Sequence, residues 1–198
     1  MEVRPLGPDE AAQVSASLRH PVVVADRLAR QRRDECVYLV AWEHGSPVGQ
    51  VLVHHRRPAA LAVADTIDEL PYLEDAFVLP EWRNRGIGTA LLASAERATA
   101  DRGDRGLSLA VSVGNAAARR LYARLGYVDA GVPLHRQMTS DRDTDGIIRS
   151  GNETVVDLVK RIDAPAERAA ARDPSPGTAA SRRRHRRTSG AGPLSAAG

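Results

Sequence analysis

Residues 77–92, F-V-L-P-E-W-R-N-R-G-I-G-T-A-L-L, leave this chain few ways to fold. An apolar run reaches Pro80, which has no amide to give a sheet ladder and so ends a strand. Two arginines and two glycines follow. A helical period then opens, with Leu91, Leu92 and Ala95 on one face. Glycines lack a Cβ, so backbone N–H groups around Gly86 and Gly88 can approach an anion closely. The helix start behind them adds unpaired amides and the positive end of a helix dipole. Arg83 and Arg85 add charged donors. Strand, basic glycine turn and helix start, in that order, make a cradle suited to a diphosphate. The segment lacks the Lys-Ser/Thr that completes a P-loop, which disfavours nucleotide hydrolysis. It also lacks the third glycine of a G-x-G-x-x-G dinucleotide loop.

Strand and helix signals alternate around this segment. Val3-Arg4-Pro5 reads as a short edge strand, and residues 8–19 and 22–35 read as helices. Apolar runs at 37–42 and 48–53 flank E-H-G-S-P, a hairpin signal. Residues 56–70 form a loop with a turn of helix, 72–79 a strand and 87–101 a helix stopped by Gly103. Residues 107–113 alternate as a strand. Residues 115–125 form a helix with Asn115 at its cap and Gly126 as its left-handed stop. Two closing strands are expected at 132–138 and 154–159. No internal repeat occurs.

Hydrophobic residues at 42% allow a core, and aromatics at 4% make that core aliphatic. The net charge of +3 is unevenly spread: residues 164–198 hold seven arginines against Glu167 and Asp173, so the body is mildly acidic. That segment, rich in Ala, Pro, Gly, Ser and Arg, cannot bury enough apolar surface to offset its ordering entropy. The sequence therefore predicts a folded domain over 1–162 and a disordered Arg/Ala/Pro-rich tail over 163–198. Within the tail, R-R-R-H-R-R at 182–187 could touch nucleic acid. The acidic body and the lack of tail aromatics count against that partner. No apolar run approaches the roughly 20 residues a membrane helix needs, and the N-terminus lacks a secretory pattern. The expected setting is cytoplasmic. Cys36 is alone, which excludes an internal disulfide, and the histidines form no zinc pattern with it, so no metal is expected.

Residues 78–92, V-L-P-E-W-R-N-R-G-I-G-T-A-L-L, resemble the coenzyme A motif of the GCN5-related N-acetyltransferase (GNAT) family. Asn115, Ala118 and L-Y-A-R-L-G-Y at 121–127 are similar to that family's N-x-x-A-x-x-L-Y-x-x-x-G-F/Y segment. The two blocks stand in the family's order, with room between them for one helix and one strand. The resemblance spans about residues 72–130, is topological elsewhere in 1–162, and is absent from the tail. It implies an α/β fold with a mixed sheet, splayed central strands and flanking helices. It also implies acetyl-CoA as cofactor and transfer of an acetyl group to an amine.

By the same resemblance, backbone groups of Ala76, Phe77 and Val78 pair with pantetheine. The amides of Asn84, Arg85, Gly86, Ile87, Gly88 and Thr89 hold the pyrophosphate, with Arg83 nearby. Asn115, one turn before Ala118, bonds or orients the pantetheine arm, although Asn there is equally a good helix cap. Tyr122 is the expected general acid toward the leaving thiolate, whose thiol pKa of about 8.5 asks for modest help.

An alkylamine has a pKa near 10.4 and arrives protonated, so a carboxylate is needed to accept its proton. Ribosomal-protein N-terminal acetyltransferases of the family carry a glutamate after the leucine of the second strand. Here L-A-V at 109–111 places Ala110 there, which argues against that subclass. L-E-D-A-F-V at 73–78 is instead similar to the L-E-D-x-F-V segment of diamine acetyltransferases, whose glutamate is a proposed base. Glu74 is the first choice, and Asp75 the second, because adjacent strand residues face opposite ways. Asp65, Asp68, Glu69, Glu74 and Asp75, with no basic residue between Pro58 and Pro80, would favour a cationic acceptor if they line its site. The expected acceptor is a primary amine of a small molecule, polyamine- or aminoglycoside-like, or of a peptide. A protein lysine or N-terminal acetyltransferase and a non-catalytic acyl-CoA-binding module are the alternatives. A homodimer is compatible with the sequence.

Overall fold

The computed structural model describes residues 1–19, 21–142 and 148–162; the tail expected to be disordered, with its arginine run at 182–187, lies outside them. The chain opens with β1 (Glu2–Pro5), a 3-10 turn (Pro8–Glu10), α1 (Ala11–Ser17) and α2 (Pro21–Arg32). The hairpin β2 (Cys36–Glu43) and β3 (Ser46–His54) leads through a 3-10 turn (Ala59–Leu61) and the single turn α3 (Asp65–Asp68) into β4 (Tyr72–Val78). Then come α4 (Ile87–Asp101), β5 (Gly106–Ser112), α5 (Ala116–Arg124), β6 (Val128–Asp129), β7 (His135–Arg142) and β8 (Ile148–Arg161). The first closing strand starts three residues later than the expected 132 and runs past 138, and the second extends beyond both ends of the expected 154–159. They pair from His135↔Val155 out to Arg142↔Ile148, and polar residues such as Gln137, Asn152 and Glu153 make ladder bonds that hydropathy does not register.

The strands form one sheet in the order β1-β2-β3-β4-β5-β8-β6, with β7 also on β8. Every pairing is antiparallel except β4 with β5. Those two share only the register pairs Tyr72↔Ser108 and Leu73↔Leu109, then part. A bulge on β4 marks the parting. Leu52 pairs with Glu74 and Gln50 with Phe77, so Asp75 and Ala76 together oppose Val51. Asp75 adopts φ 55 to make the extra residue fit, and such a bulge bends and twists its strand.

Helices cover both faces, which explains the near-continuous apolar runs of β2 and β3. Tyr38, Val40, Trp42 and Leu52 pack with Val14, Leu18, Val24 and Leu28 of α1 and its neighbours. Leu39, Ala41, Val51 and Val53 pack with Ile87, Leu91, Leu92 and Ala95 of α4. Burying each large aliphatic side chain contributes roughly 1.5–3 kcal/mol. No helix among the described residues is long and apolar enough to cross a membrane.

Gly49 sets how closely α4 and β4 approach β3. A Cβ there would lie 2.9 Å from the Phe77 carbonyl oxygen, 3.2 Å from Leu91 Cδ1 and 3.3 Å from Val78 Cγ2. Gly49→Ala is therefore expected to destabilise the fold by about 1–3 kcal/mol, read as a lower urea midpoint. An unchanged midpoint would mean the strand has room that these distances deny.

Candidate active site

After β4 the chain makes a 3-10 turn (Pro80–Trp82), and Asn84 (φ 60) and Gly86 (φ 82) take left-handed backbone. Gly86 is the N-cap of α4 and has no side chain to cap it. The helix's first bond runs from the Ala90 amide to the Gly86 carbonyl at 3.0 Å, and the amides of residues 84–89 donate to no described group. Asn84 and residues 86–89 border a cavity of about 750 Å³ that β4 and α5 also line. Arg83 reaches back, donating from Nε to the Val78 carbonyl at 3.1 Å with its guanidinium over the Phe77 ring. Arg85 lies over Trp82, 4.8 Å from the ring centroid, and is not among the lining residues.

Two cations of this cavity escaped the sequence reading: Arg120 and Arg124 on α5. Their i,i+4 spacing on the helix of the second motif was the available signal. Gly88 lets α5 come close, since a Cβ there would already touch Leu121 Cδ2 at 3.4 Å. Asn115 is the N-cap of α5 and accepts from the Ala118 amide at 3.1 Å, so its capping role is realised.

A second cavity, of about 540 Å³, lies alongside, and Ala76, Phe77, Asn115 and Ala118 border both. The two therefore meet where β4 parts from β5. Tyr122 lines the second cavity. Burial, helped slightly by Tyr72, pushes its phenol up to about 12, so it is protonated throughout the physiological range. No described residue hydrogen-bonds its hydroxyl.

Glu74 and Asp75 both line this cavity, against the alternation expected of neighbouring strand residues. The bulge is the reason. Asp75 is buried, with a side-chain exposure of 8%. Arg19 donates to both of its carboxylate oxygens. Arg27 Nη2 reaches it at 2.7 Å and Gln50 Nε2 at 2.5 Å. That carboxylate has little capacity left for a proton. Glu74 keeps 42% of its side chain exposed and has one described partner, His54 Nε2 at 2.6 Å. Burial would raise its pKa, but the hydrogen bond and electrostatic attraction of His54, followed by the charges of Arg27 and Arg30, outweigh that and hold it below the usual carboxylate value.

The condition set for the acids between Pro58 and Pro80, that they line the acceptor site, is met only in part. Asp68 accepts from the Val63 amide at 3.0 Å, and Glu69 pairs with Arg56 at 2.5 Å. Of that segment's described carboxylates only Glu74 and Asp75 line the cavity, where Glu153 of β8 joins them. Remote basic residues neutralise what the local sequence left uncompensated. Ala110 also lines this wall. Cys36 is buried away from both cavities, its thiol pushed up by burial. Among the described residues no group of His, Cys, Asp and Glu is arranged to hold a metal.

An open mixed sheet whose one parallel pair parts beside an uncapped helix start defines the acyl-CoA N-acyltransferase class of folds. The model of the Acetyltransferase (GNAT) family matches residues 9–127, and the chain belongs to that family. It is 34% identical over 101 residues to an uncharacterized N-acetyltransferase of Methanocaldococcus jannaschii, a match covering 51% of this chain and 43% of that relative. The chain thus spans less than half of that relative's length. Among solved structures, a ribosomal-protein-alanine N-acetyltransferase from Brucella melitensis superposes with a TM-score of 0.59 at 18% identity, covering 81% of this chain and 99% of that one. A Salmonella typhimurium protein described as an acetyltransferase, and solved with its cofactor acetyl-CoA, gives 0.58 at 17% identity over 82% and 94%. At these identities the superpositions speak for the fold.

Gly86 tests the cradle. With φ at 82, Gly86→Ala forces a left-handed alanine that costs roughly 1–2 kcal/mol. If residues 84–89 grip the diphosphate, affinity for coenzyme A measured by calorimetry should fall by up to about tenfold. Unchanged affinity would separate this turn from cofactor binding.

Proposed function

We propose that the chain transfers an acetyl group from acetyl-CoA to a primary amine by direct attack in a ternary complex. The reading is carried by the meeting of two cavities at Ala76, Phe77, Asn115 and Ala118. One is edged by the free amides of residues 84–89, the other by Glu74 and Tyr122. The donor set suits coenzyme A. The amides with Arg120 and Arg124 fit its phosphates, and the edge of β4 at Ala76, Phe77 and Val78, unpaired with β5, fits a strand-like pantetheine arm.

When bound, acetyl-CoA supplies the thioester to be attacked. Glu74 draws the cationic acceptor into the cavity and receives the proton that the amine must lose to become a nucleophile. Tyr122 holds its own proton, donates it to the sulfur as the C–S bond breaks, and is restored by the second proton that the acceptor nitrogen sheds as the amide forms. A backbone amide near Val78 is the contact for the carbonyl oxygen as it gains charge. Direct attack fits better than a covalent acyl-enzyme because the chain's one cysteine reaches neither cavity. The Brucella protein is named for a ribosomal-protein alanine. This chain has Ala110 where the resemblance gives that subclass a glutamate, which favours the amine of a small molecule or another peptide.

With saturating amine from a panel of polyamines, aminoglycosides and basic peptides, Glu74→Gln and Tyr122→Phe should each lower kcat about 10²-fold, with acetyl-CoA affinity retained. Full kcat in both would reduce the chain to a binding module. The pH profile gives an independent check. The base loses function only below the lowered pKa of Glu74, and the acid only as pH nears the Tyr122 value of about 12. Between roughly pH 6 and 9 the amine arrives protonated, Glu74 is ionised and Tyr122 holds its proton, so kcat/KM should stay level; a tenfold rise per pH unit would mean that the free amine reacts without Glu74 and would contradict these roles.

A further inference from the structure

Behind Glu74 stands a polar chain that the reaction as written does not use. His54, at the end of β3, is 1% exposed. Its Nε2 lies 2.6 Å from Glu74 Oε2, and its Nδ1 lies 2.9 Å from Arg30 Nη2 of α2. Its ring stacks on Tyr72, with centroids 6.2 Å apart. Arg30 continues outward to Glu35 at 3.5 Å. A guanidinium can only donate, so the His54 Nδ1 facing Arg30 must carry a lone pair. The ring's single proton is then on Nε2, pointing at Glu74. Arg30 then engages the ring's one lone pair, and the Nε2 proton is the group that faces the carboxylate.

We propose that His54, oriented by Arg30, is a positioning residue that donates to Glu74 Oε2 and leaves Oε1 as the oxygen that receives the acceptor's proton. The inference rests on Glu74 being the proton acceptor. Its physical content is twofold. One hydrogen bond fixes the rotation of a carboxylate on a bulged strand, and it keeps that carboxylate charged in a partly desolvated pocket. Arg27 and Arg30 from α2, Tyr72 from the same strand and the neutralised Asp75 are the other titratable or charged groups beside it. The proton moves from the acceptor nitrogen to Glu74 Oε1, and the His54 proton stays on Nε2 throughout.

Two spectroscopic readouts and one kinetic control test this. In the ¹⁵N-labelled protein, long-range ¹H–¹⁵N correlations should show His54 as the Nε2–H tautomer; the Nδ1–H form would overturn the inference even if no variant folds. In ¹³C-glutamate-labelled protein, with Glu74→Gln for assignment, the Glu74 carboxyl should titrate about one pH unit or more higher in His54→Leu than in the wild type. His54→Gln, whose amide can still donate, should return it toward the wild-type value. An unmoved titration in His54→Leu would overturn the inference. Retained kcat in Glu74→Gln would instead overturn the role of Glu74 itself, so the two failures are distinguishable.

Discussion

The parting of β4 from β5 is the feature on which the rest depends, and a buried charge cluster holds it in place. Asp75, in left-handed backbone at the bulge, is held by Arg19, Arg27 and Gln50. The partners come from three places in the chain: the bend after α1, the middle of α2 and strand β3. Removing one side of such a cluster leaves an uncompensated buried charge, which is strongly destabilising. The bulge is therefore tied to the helices that roof the acceptor cavity. The same bulge turns Glu74 and Asp75 onto one wall and frees the edge of β4 for an extended ligand.

The local features of the site were legible in the sequence. Pro80, the glycines and the Leu91, Leu92 and Ala95 stripe place the turn and α4 where they are found, because strand stop, glycine turn and helical period are short-range effects. Asn115 as a cap and Gly126 as a stop follow from the same physics, and the hairpin and the edge strand were equally plain.

What the sequence withheld is long-range. Nothing local reveals that Asp75 bulges, or that Arg19, 56 positions away, disarms it. A run of acids between two prolines looks like a negative field until Arg56 pairs with Glu69 and Arg19 and Arg27 with Asp75. The ends of β7 and β8 were hidden because their polar residues are held by ladder bonds. His54 carries no local signal of a role, yet it is buried against Glu74, which lines the cavity. In each case a partner distant in sequence decides what a residue can do.

The proposed reaction requires the cavity edged by residues 84–89 and the one holding Glu74 to form a single path through the gap between β4 and β5. A crystal structure of the chain with acetyl-CoA tests it most directly. The diphosphate should lie on the amides of residues 84–89, the pantetheine along Ala76, Phe77 and Val78, and the thioester sulfur within hydrogen-bond reach of the Tyr122 hydroxyl. A cofactor seated elsewhere, or a thioester turned away from Tyr122 and Glu74, would contradict it.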